Sequence, residues 1–122
     1  MMVSTLKILL VEDEPMWQEG IRALLESSGE ANLSHVAEDY EGALVAYAQT
    51  MPDVVLLDWN IKGARDGLAV GQALTEQGFP PERIILVSGT DPSAVPANPY
   101  HFVPKQRIAS SLLDTIRRVT EN

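Results

Sequence analysis

Val54-Val55-Leu56-Leu57-Asp58 is the stretch of sequence that decides the fold. Four consecutive apolar residues are typical of a short strand that is covered on both faces, and such strands belong mainly to parallel sheets. Asp58 follows directly, at the point where the strand must end. The stretch therefore predicts an α/β protein whose ligands bind at the carboxyl ends of its strands, because binding sites of such sheets lie there.

Similar strands, separated by helices, are predicted on both sides of this stretch. Pro15 and Gly29 bound the first helix, and Pro52 stops the second. Two more helices are predicted over residues 67–77 and 108–119, where apolar residues recur at helical spacing. This alternation predicts one doubly wound sheet with helices on both faces. The predicted strands are residues 6–11, 33–37, 54–57, 84–87 and 100–103.

The composition limits the classes of protein to which the chain can belong. Its 122 residues include 9 Lys and Arg, 17 Asp and Glu and no Cys, so the net charge is −8 and thiolate metal sites are excluded. This length suits one domain. No apolar run is long enough to span a bilayer, residues 1–5 lack the basic start of a signal peptide, and the acidity disfavours nucleic acid and anionic membranes. We therefore expect a cytoplasmic protein that binds neither membrane nor nucleic acid directly.

The negative charge is concentrated in the first half of the chain. Residues 1–61 carry 2 basic and 11 acidic side chains, whereas residues 62–122 carry 7 basic and 6 acidic ones. The net charges of the halves, −9 and +1, sum to the −8 of the whole chain. The first half is therefore acidic enough to attract a cation.

Candidate site residues follow the first, third, fourth and fifth predicted strands. Glu12 and Asp13 follow the first, Asp58 the third, Ser88 the fourth and Lys105 the fifth. Because parallel strands end at one edge of the sheet, three carboxylates, a hydroxyl and an ammonium are expected to meet there. Carboxylates so close together raise one another's pKa unless a cation lies between them. An oxygen-only cluster favours Mg²⁺, with Mn²⁺ as the alternative.

Five motifs in this order resemble the receiver domain of two-component response regulators. The resemblance extends over nearly the whole chain and implies a flavodoxin-like, three-layer α/β/α fold with a five-stranded parallel sheet of order 2-1-3-4-5. It also implies that residues 1–122 are a single receiver domain, with no output domain in this chain. The motifs are residues 6–15 (LKILLVEDEP), 54–60 (VVLLDWN), Asp66-Gly67, 84–89 (IILVSG) and 102–105 (FVPK).

The resemblance assigns Asp58 as the phosphoacceptor and the acidic residues as the magnesium site. Asp58 takes a phosphoryl group from a phosphohistidine of a histidine kinase or phosphotransfer protein. Asp13, Asp58 and the backbone carbonyl of Asn60 are the implied Mg²⁺ ligands, and Glu12 acts through a bound water. Lys105 is implied to hold a phosphoryl oxygen. Such a domain is a signalling phosphoacceptor rather than an enzyme, with at most slow self-catalysed phosphorylation and dephosphorylation.

The resemblance also implies a conformational switch made by Ser88 and Phe102. Ser88 hydrogen-bonds the phosphoryl group and draws its loop inward, while Phe102 turns as the switch aromatic. The signal then passes to a downstream protein, to an output domain of a longer chain or to a second copy in a homodimer. Two tryptophans have no such role: Trp17 is expected in the core and Trp59 beside the site.

Three features depart from the family pattern, and one of them is that Gln106 follows Lys105 where the family usually has a proline. The loop after Asp58 is one residue longer than usual and lacks the usual proline. The interval from Ser88 to Lys105 is shorter than usual and is proline-rich, with three prolines between residues 89 and 99, so the family's fourth helix is expected to be short or degenerate. The output surface of the family includes that helix, and its use by this chain is therefore open.

Three other functions are alternatives to phosphoacceptance. The altered loops favour a pseudo-receiver, an interaction module that is not phosphorylated, whereas the complete set of site residues argues against it. Aspartate-nucleophile phosphatases need a second acid two residues after the nucleophile, where this chain has Asn60. A flavodoxin-like cofactor binder is rejected because Glu12-Asp13-Glu14 would repel the cofactor's phosphate.

Overall fold

The computed structural model describes residues 5–121, which form a parallel sheet of five strands with four helices. Residues 1–4, on which part of the signal-peptide prediction rests, and residue 122 lie outside the described residues. Short 3-10 turns occur at Pro81–Arg83, Pro92–Ala94 and Lys105–Arg107. The strands and helices are β1 (Leu6–Val11), α1 (Pro15–Ser28), β2 (Ala31–Ala37), α2 (Tyr40–Thr50), β3 (Val54–Leu57), α3 (Gly67–Glu76), β4 (Ile84–Ser88), β5 (His101–Pro104) and α4 (Ile108–Thr120).

All four pairs of neighbouring strands are parallel, in the order β2-β1-β3-β4-β5. The predicted flavodoxin-like order is therefore confirmed. β3 lies in the middle, with Val54 beside Ile8 of β1 and Val55 beside Ile84 of β4. Asp58, at the end of β3, thus comes to the centre of the edge at which the strands end.

The apolar strands bury both of their faces. Ile8 and Leu10 of β1 pack with α1 and α4, whereas Leu9 and Val11 pack with α2 and α3. The same alternation holds along β3 and β4. Because side chains of a strand point alternately to opposite faces, a strand covered on both sides must be apolar at every position, as residues 54–57 are.

The local signals for helices and strands are confirmed to within a few residues. Pro15 starts α1, and Gly29, with φ of 72°, ends it in the left-handed conformation that glycine favours. β2 begins at Ala31, two residues before the predicted start. It lies at the edge of the sheet and is only partly buried, so its apolar pattern is weaker than that of the central strands. Of the described helices, none is long and apolar enough to cross a bilayer.

The segment between β4 and β5 contains a 3-10 turn in place of the family's fourth helix, as predicted. Half-buried Val95, Tyr100 and Phe102 cover part of the sheet face that such a helix would cover. The Tyr100 ring lies directly over Gly71 of α3, where an added Cβ would be only 2.7 Å from the ring. Gly71 therefore lets the proline-rich segment lie close against α3.

We expect Gly71→Ala to raise the free energy of unfolding by less than an unobstructed helical Gly→Ala change does, because the Tyr100 ring must shift to admit the added Cβ. Gly20→Ala is the matched control, since Gly20 is a helical glycine of α1 with nothing within 4 Å of an added Cβ. The control should gain about 0.5–1 kcal/mol. Urea unfolding measures both. Equal stability of the two variants would contradict the contact.

Candidate functional site

The structure brings the predicted site residues, apart from Phe102, together at the carboxyl ends of the strands. Asp58 and Lys105 line a cleft of about 310 Å³, together with four residues that the sequence did not single out. Glu12 and Ser88 are buried beneath this edge, and Asp13 is half-buried. Those four residues are Glu14, Gly89, Thr90 and Gln106. Trp17 and Asn60 complete the lining of the cleft.

The ammonium of Lys105 lies between two buried carboxylates. Its Nζ is 2.8 Å from Oε1 of Glu12 and 3.1 Å from Oδ2 of Asp58. The three side chains are 7%, 1% and 5% exposed. Two carboxylates removed from water and placed this close repel each other, so the ammonium is the group that makes their burial tolerable.

The pKa values of Glu12 and Lys105 reflect this arrangement. Burial raises the pKa of the Glu12 carboxyl to about 7; the hydrogen bond from Lys105 opposes the rise and the Asp58 charge adds to it. Burial alone would lower the pKa of Lys105, but its hydrogen bonds to Glu12 and Asp58 outweigh burial and raise that pKa. The Lys105 ammonium is therefore charged at neutral pH, and the Glu12 carboxyl takes up a proton more readily than an exposed glutamate.

Backbone groups hold both carboxylates in place. Oδ1 of Asp58 accepts a hydrogen bond from the N–H of Asn60 at 3.1 Å, and Oε2 of Glu12 accepts one from the N–H of Glu14, also at 3.1 Å. The N–H of Asp58 in turn donates to the carbonyl of Val11 on β1. Each carboxylate thus offers one oxygen to the backbone and the other to Lys105.

Four carboxylates are close enough to hold one metal ion. Oxygens of Glu12, Asp13, Glu14 and Asp58 lie within 4.8 Å of one another. A donor set of carboxylate oxygens fits a hard cation such as Mg²⁺, and one ammonium does not neutralise four such groups. The sequence did not single out Glu14, although the acidic run at residues 12–14 was a usable signal. The predicted Asn60 carbonyl ligand remains a prediction.

The loop after β3 is held by Asp66-Gly67, the motif noted in the sequence. Asp66 caps α3 by accepting from the N–H of Ala69 at 3.0 Å, and it also accepts from the indole Nε1 of Trp59 at 3.1 Å. The N–H of Gly67 donates to the Trp59 carbonyl, and an added Cβ at Gly67 would overlap the carbonyl oxygen of Asp58. Glycine is therefore needed for the close approach of α3 to the end of β3.

Ser88 and Phe102 are placed differently with respect to the cleft. The Ser88 hydroxyl, at the buried end of β4, accepts from the N–H of Thr90 at 3.1 Å. The Thr90 hydroxyl accepts from the Asn60 side-chain amide at 3.3 Å, so the loops after β3 and β4 are linked. Phe102 is half-buried against the core on the α2 and α3 side, next to Leu86, and does not line the cleft. The switch roles of Ser88 and Phe102 stay predictions.

Trp17 contributes to the site as well as to the core. It is half-buried and packs against the core on the α1 and α4 side, as the sequence predicted. Its ring also faces the cleft, with the Lys105 Nζ 4.8 Å from the ring centroid. The helical spacing of apolar residues in α1 could not reveal this contact, because Lys105 is 88 positions away in the chain.

Residues 8–117 match the response regulator receiver domain family. The chain belongs to this family. It is 31% identical, over 98% of its length, to a nitrate/nitrite response regulator homolog of Haemophilus influenzae. It is 33% identical, over 73% of its length, to a probable transcriptional regulatory protein NarL of Mycobacterium tuberculosis. The chain covers only 59% and 40% of the lengths of these relatives.

Solved receiver domains have the same architecture. The signal receiver domain of a putative response regulator NarL from Mycobacterium tuberculosis is 28% identical, with a TM-score of 0.78 over 94% of this chain and 98% of that one. A two-component response regulator of the LuxR family from Aurantimonas is 26% identical, with a TM-score of 0.83 over 95% and 85% of the two chains. The response regulator domain of Thermotoga maritima CheB, at 18% identity and a TM-score of 0.83, shares the fold. This chain is therefore a receiver domain of the two-component signalling class.

We expect the wild type to lose stability relative to Glu12→Gln as the pH rises. The folded-state pKa of Glu12, about 7, exceeds its ordinary value of 4.5, so its contribution to stability is present at low pH and is lost as the pH rises through 7. Between about pH 5 and about pH 8 the difference in unfolding free energy should change by about 2–3 kcal/mol. Urea unfolding in EDTA measures it, because the chelator removes competing divalent cations.

Glu82→Gln is the control for this titration, because Glu82 is an exposed glutamate of the turn before β4. Its unfolding free energy should run parallel to that of the wild type over the same pH range. A difference between wild type and Glu12→Gln that stays constant with pH would contradict the raised pKa of Glu12.

Proposed function

We propose that this receiver domain accepts a phosphoryl group on Asp58 in a reaction that depends on Mg²⁺. The donor is a phosphohistidine of a sensor histidine kinase or of a phosphotransfer protein. The observation that carries the proposal is the position of the Asp58 carboxylate, which lines an open cleft between three other carboxylates and the Lys105 ammonium.

In the proposed transfer, a carboxylate oxygen of Asp58 attacks phosphorus as the phosphorus–nitrogen bond breaks. The bond electrons leave with the histidine of the donor, which takes up a proton, and an aspartyl phosphate remains. Asp13, Asp58 and the Asn60 carbonyl would hold Mg²⁺, with Glu12 acting through a water, and the bound ion would supply positive charge against the phosphoryl oxygens. Mn²⁺ has the same oxygen preference and is the alternative ion.

Lys105 supplies the second positive charge of the proposed site. Its ammonium already touches Asp58, so a phosphoryl group attached to that carboxylate comes within reach of the same Nζ. Lysine acts here as a compact point charge at the end of a flexible stem. When one Asp58 oxygen becomes bonded to phosphorus, Lys105 loses part of its contact with that carboxylate. The interaction gained with a phosphoryl oxygen offsets this loss.

The proposal extends to the switch and to partners. Ser88 would hydrogen-bond the phosphoryl group, pulling the loop after β4 inward and drawing Phe102 with it.

The signal would pass to a downstream protein, to an output domain of a longer chain or to a second copy of this chain. The matched relatives are named as regulators and are longer than this chain, which makes an output domain elsewhere the natural recipient. The reaction partners of such a domain are cytoplasmic, and we infer the same compartment here.

A pseudo-receiver without phosphoacceptance is the second candidate. The 3-10 turn in place of the fourth helix favours it, since the family's output surface is changed there. The buried cluster of Glu12, Asp58 and Lys105 argues against it, because burial of three ionisable groups is costly for a domain that needs only a binding surface.

Asp58→Asn should abolish phosphorylation by a small phosphodonor such as acetyl phosphate in the presence of Mg²⁺. The amide removes the nucleophilic carboxylate and keeps the shape of the side chain. Intact-protein mass spectrometry measures the mass added by one phosphoryl group.

Asp114→Asn is the control for Asp58→Asn, because Asp114 is an exposed aspartate of α4. It should be labelled like the wild type. Equal labelling of the Asp58 and Asp114 variants would contradict the assignment of Asp58 as the phosphoacceptor. A wild type that is not labelled would favour the pseudo-receiver.

Asp13→Asn should weaken Mg²⁺ binding about tenfold or more, because it removes one charged oxygen donor from the cluster. Titration of Mg²⁺ against the tryptophan fluorescence of the protein measures the affinity, since Trp59 adjoins Asp58. Asp91→Asn, a change in the exposed turn after β4, is the control and should bind Mg²⁺ like the wild type. An unchanged affinity in the Asp13 variant would remove Asp13 from the ligand set.

A further inference from the structure

Trp17 is the one aromatic residue on the wall of the cleft that holds Asp58 and Lys105, among the residues that the structure describes. The Lys105 Nζ lies 4.8 Å from the centroid of its ring, within the range of a cation–π interaction. The other two neighbours of that ammonium are Glu12 and Asp58, at 2.8 and 3.1 Å. The indole thus covers a side of the ammonium that the carboxylates leave free.

The position of the indole is fixed by α1 rather than by the site. Pro15 starts this helix, and Trp17 lies in its first turn, packed against the core that α1 and α4 share. Ile21 and Leu25 anchor the same helix in that core. The ring is therefore held in place independently of the loops that carry Asp58 and Lys105.

A contact that holds the side chain in place matters more for a flexible lysine than for a shorter side chain. Its four-carbon stem has many rotamers, and ordering it costs free energy that the site must supply. A carboxylate attracts the ammonium along defined hydrogen-bond directions, whereas the face of an indole attracts it over a broad area. An ammonium that turns from Asp58 to a phosphoryl oxygen can keep its contact with the ring.

We propose that Trp17 is a positioning residue that holds the Lys105 ammonium at Asp58 for phosphoryl transfer. The proposal rests on the proposed function of Asp58. Trp17 acts through Lys105, so its contribution depends on an aromatic face and not merely on an apolar side chain of similar size. Because α1 is packed into the core, the contact between the Trp17 ring and the Lys105 ammonium is present without a phosphoryl group on Asp58.

The first experiment uses fluorescence and does not depend on phosphorylation. The chain has two tryptophans, so Trp59→Phe leaves Trp17 as the sole indole. In this background, Lys105→Met should change the intensity or the emission maximum of Trp17, because it removes the charge from the ring face. Lys62→Met, which removes an ammonium paired with Glu38 on another loop, should leave the emission unchanged. Identical spectra for the two lysine variants would overturn the proposal.

The second experiment compares Trp17→Phe with Trp17→Leu in the initial rate of phosphorylation by acetyl phosphate and Mg²⁺. Phenylalanine keeps an aromatic face and should stay within about threefold of the wild type, whereas leucine should be about five- to tenfold slower. Met16→Ala is the control for disturbance of α1, because Met16 is 71% exposed on the same turn. It should react at the wild-type rate.

The outcomes separate this proposal from the proposed function. Equal rates for the phenylalanine and leucine variants would overturn the role of Trp17 while leaving Asp58 as the phosphoacceptor. A wild type that is not labelled at all would instead overturn phosphoacceptance, and the role of Trp17 in it. Urea unfolding of both Trp17 variants shows whether each remains folded at the assay temperature. If the Trp17→Leu variant is unfolded, the fluorescence experiment tests the proposal in its place, because that experiment keeps Trp17.

Discussion

The contact of the Lys105 ammonium with the Glu12 and Asp58 carboxylates is the interaction on which the site depends. Neither carboxylate could be buried beside the other without this charge, because their repulsion adds to the cost of removing each from water. Burial raises the pKa of Glu12 to about 7, and the four carboxylates of the cluster outnumber the one ammonium. A site left with surplus negative charge is suited to a metal cation, and with it to a negatively charged phosphoryl group.

The parallel sheet is what brings these groups together. Glu12 follows β1, Asp58 follows the central strand β3 and Lys105 follows β5, so the three lie far apart in the chain and meet at one edge. The apolar faces of the strands fix the register, because a slip by one residue would exchange the side chains of the two cores. The geometry of the site is thus a consequence of apolar packing along the whole length of the strands, most of which lies away from the site.

Sequence patterns predicted the parts that depend on local chemistry. The unbroken apolar runs of β1, β3 and β4, the Pro15 and Gly29 signals of α1 and the polar residues at the strand ends are each readable within a few residues of sequence. What could not be read depends on neighbours distant in the chain. The early start of β2 on a half-exposed edge is one example. The contact of Trp17 with Lys105 is another, and the link from Asn60 to Thr90 is a third.

The segment between β4 and β5 has a consequence for how this domain can change shape. A helix moves as a rod, because its backbone hydrogen bonds join every turn to the next. Here Pro92, Pro96 and Pro99 each fix one backbone dihedral, and Tyr100 is seated on Gly71 at the end of the segment. The segment therefore has fewer rotatable backbone bonds than one of the same length without proline, although each proline keeps its ψ. A movement of the loop after Ser88 would have to be taken up by the remaining bonds of residues 89–99, before the contact of Tyr100 with Gly71 is reached.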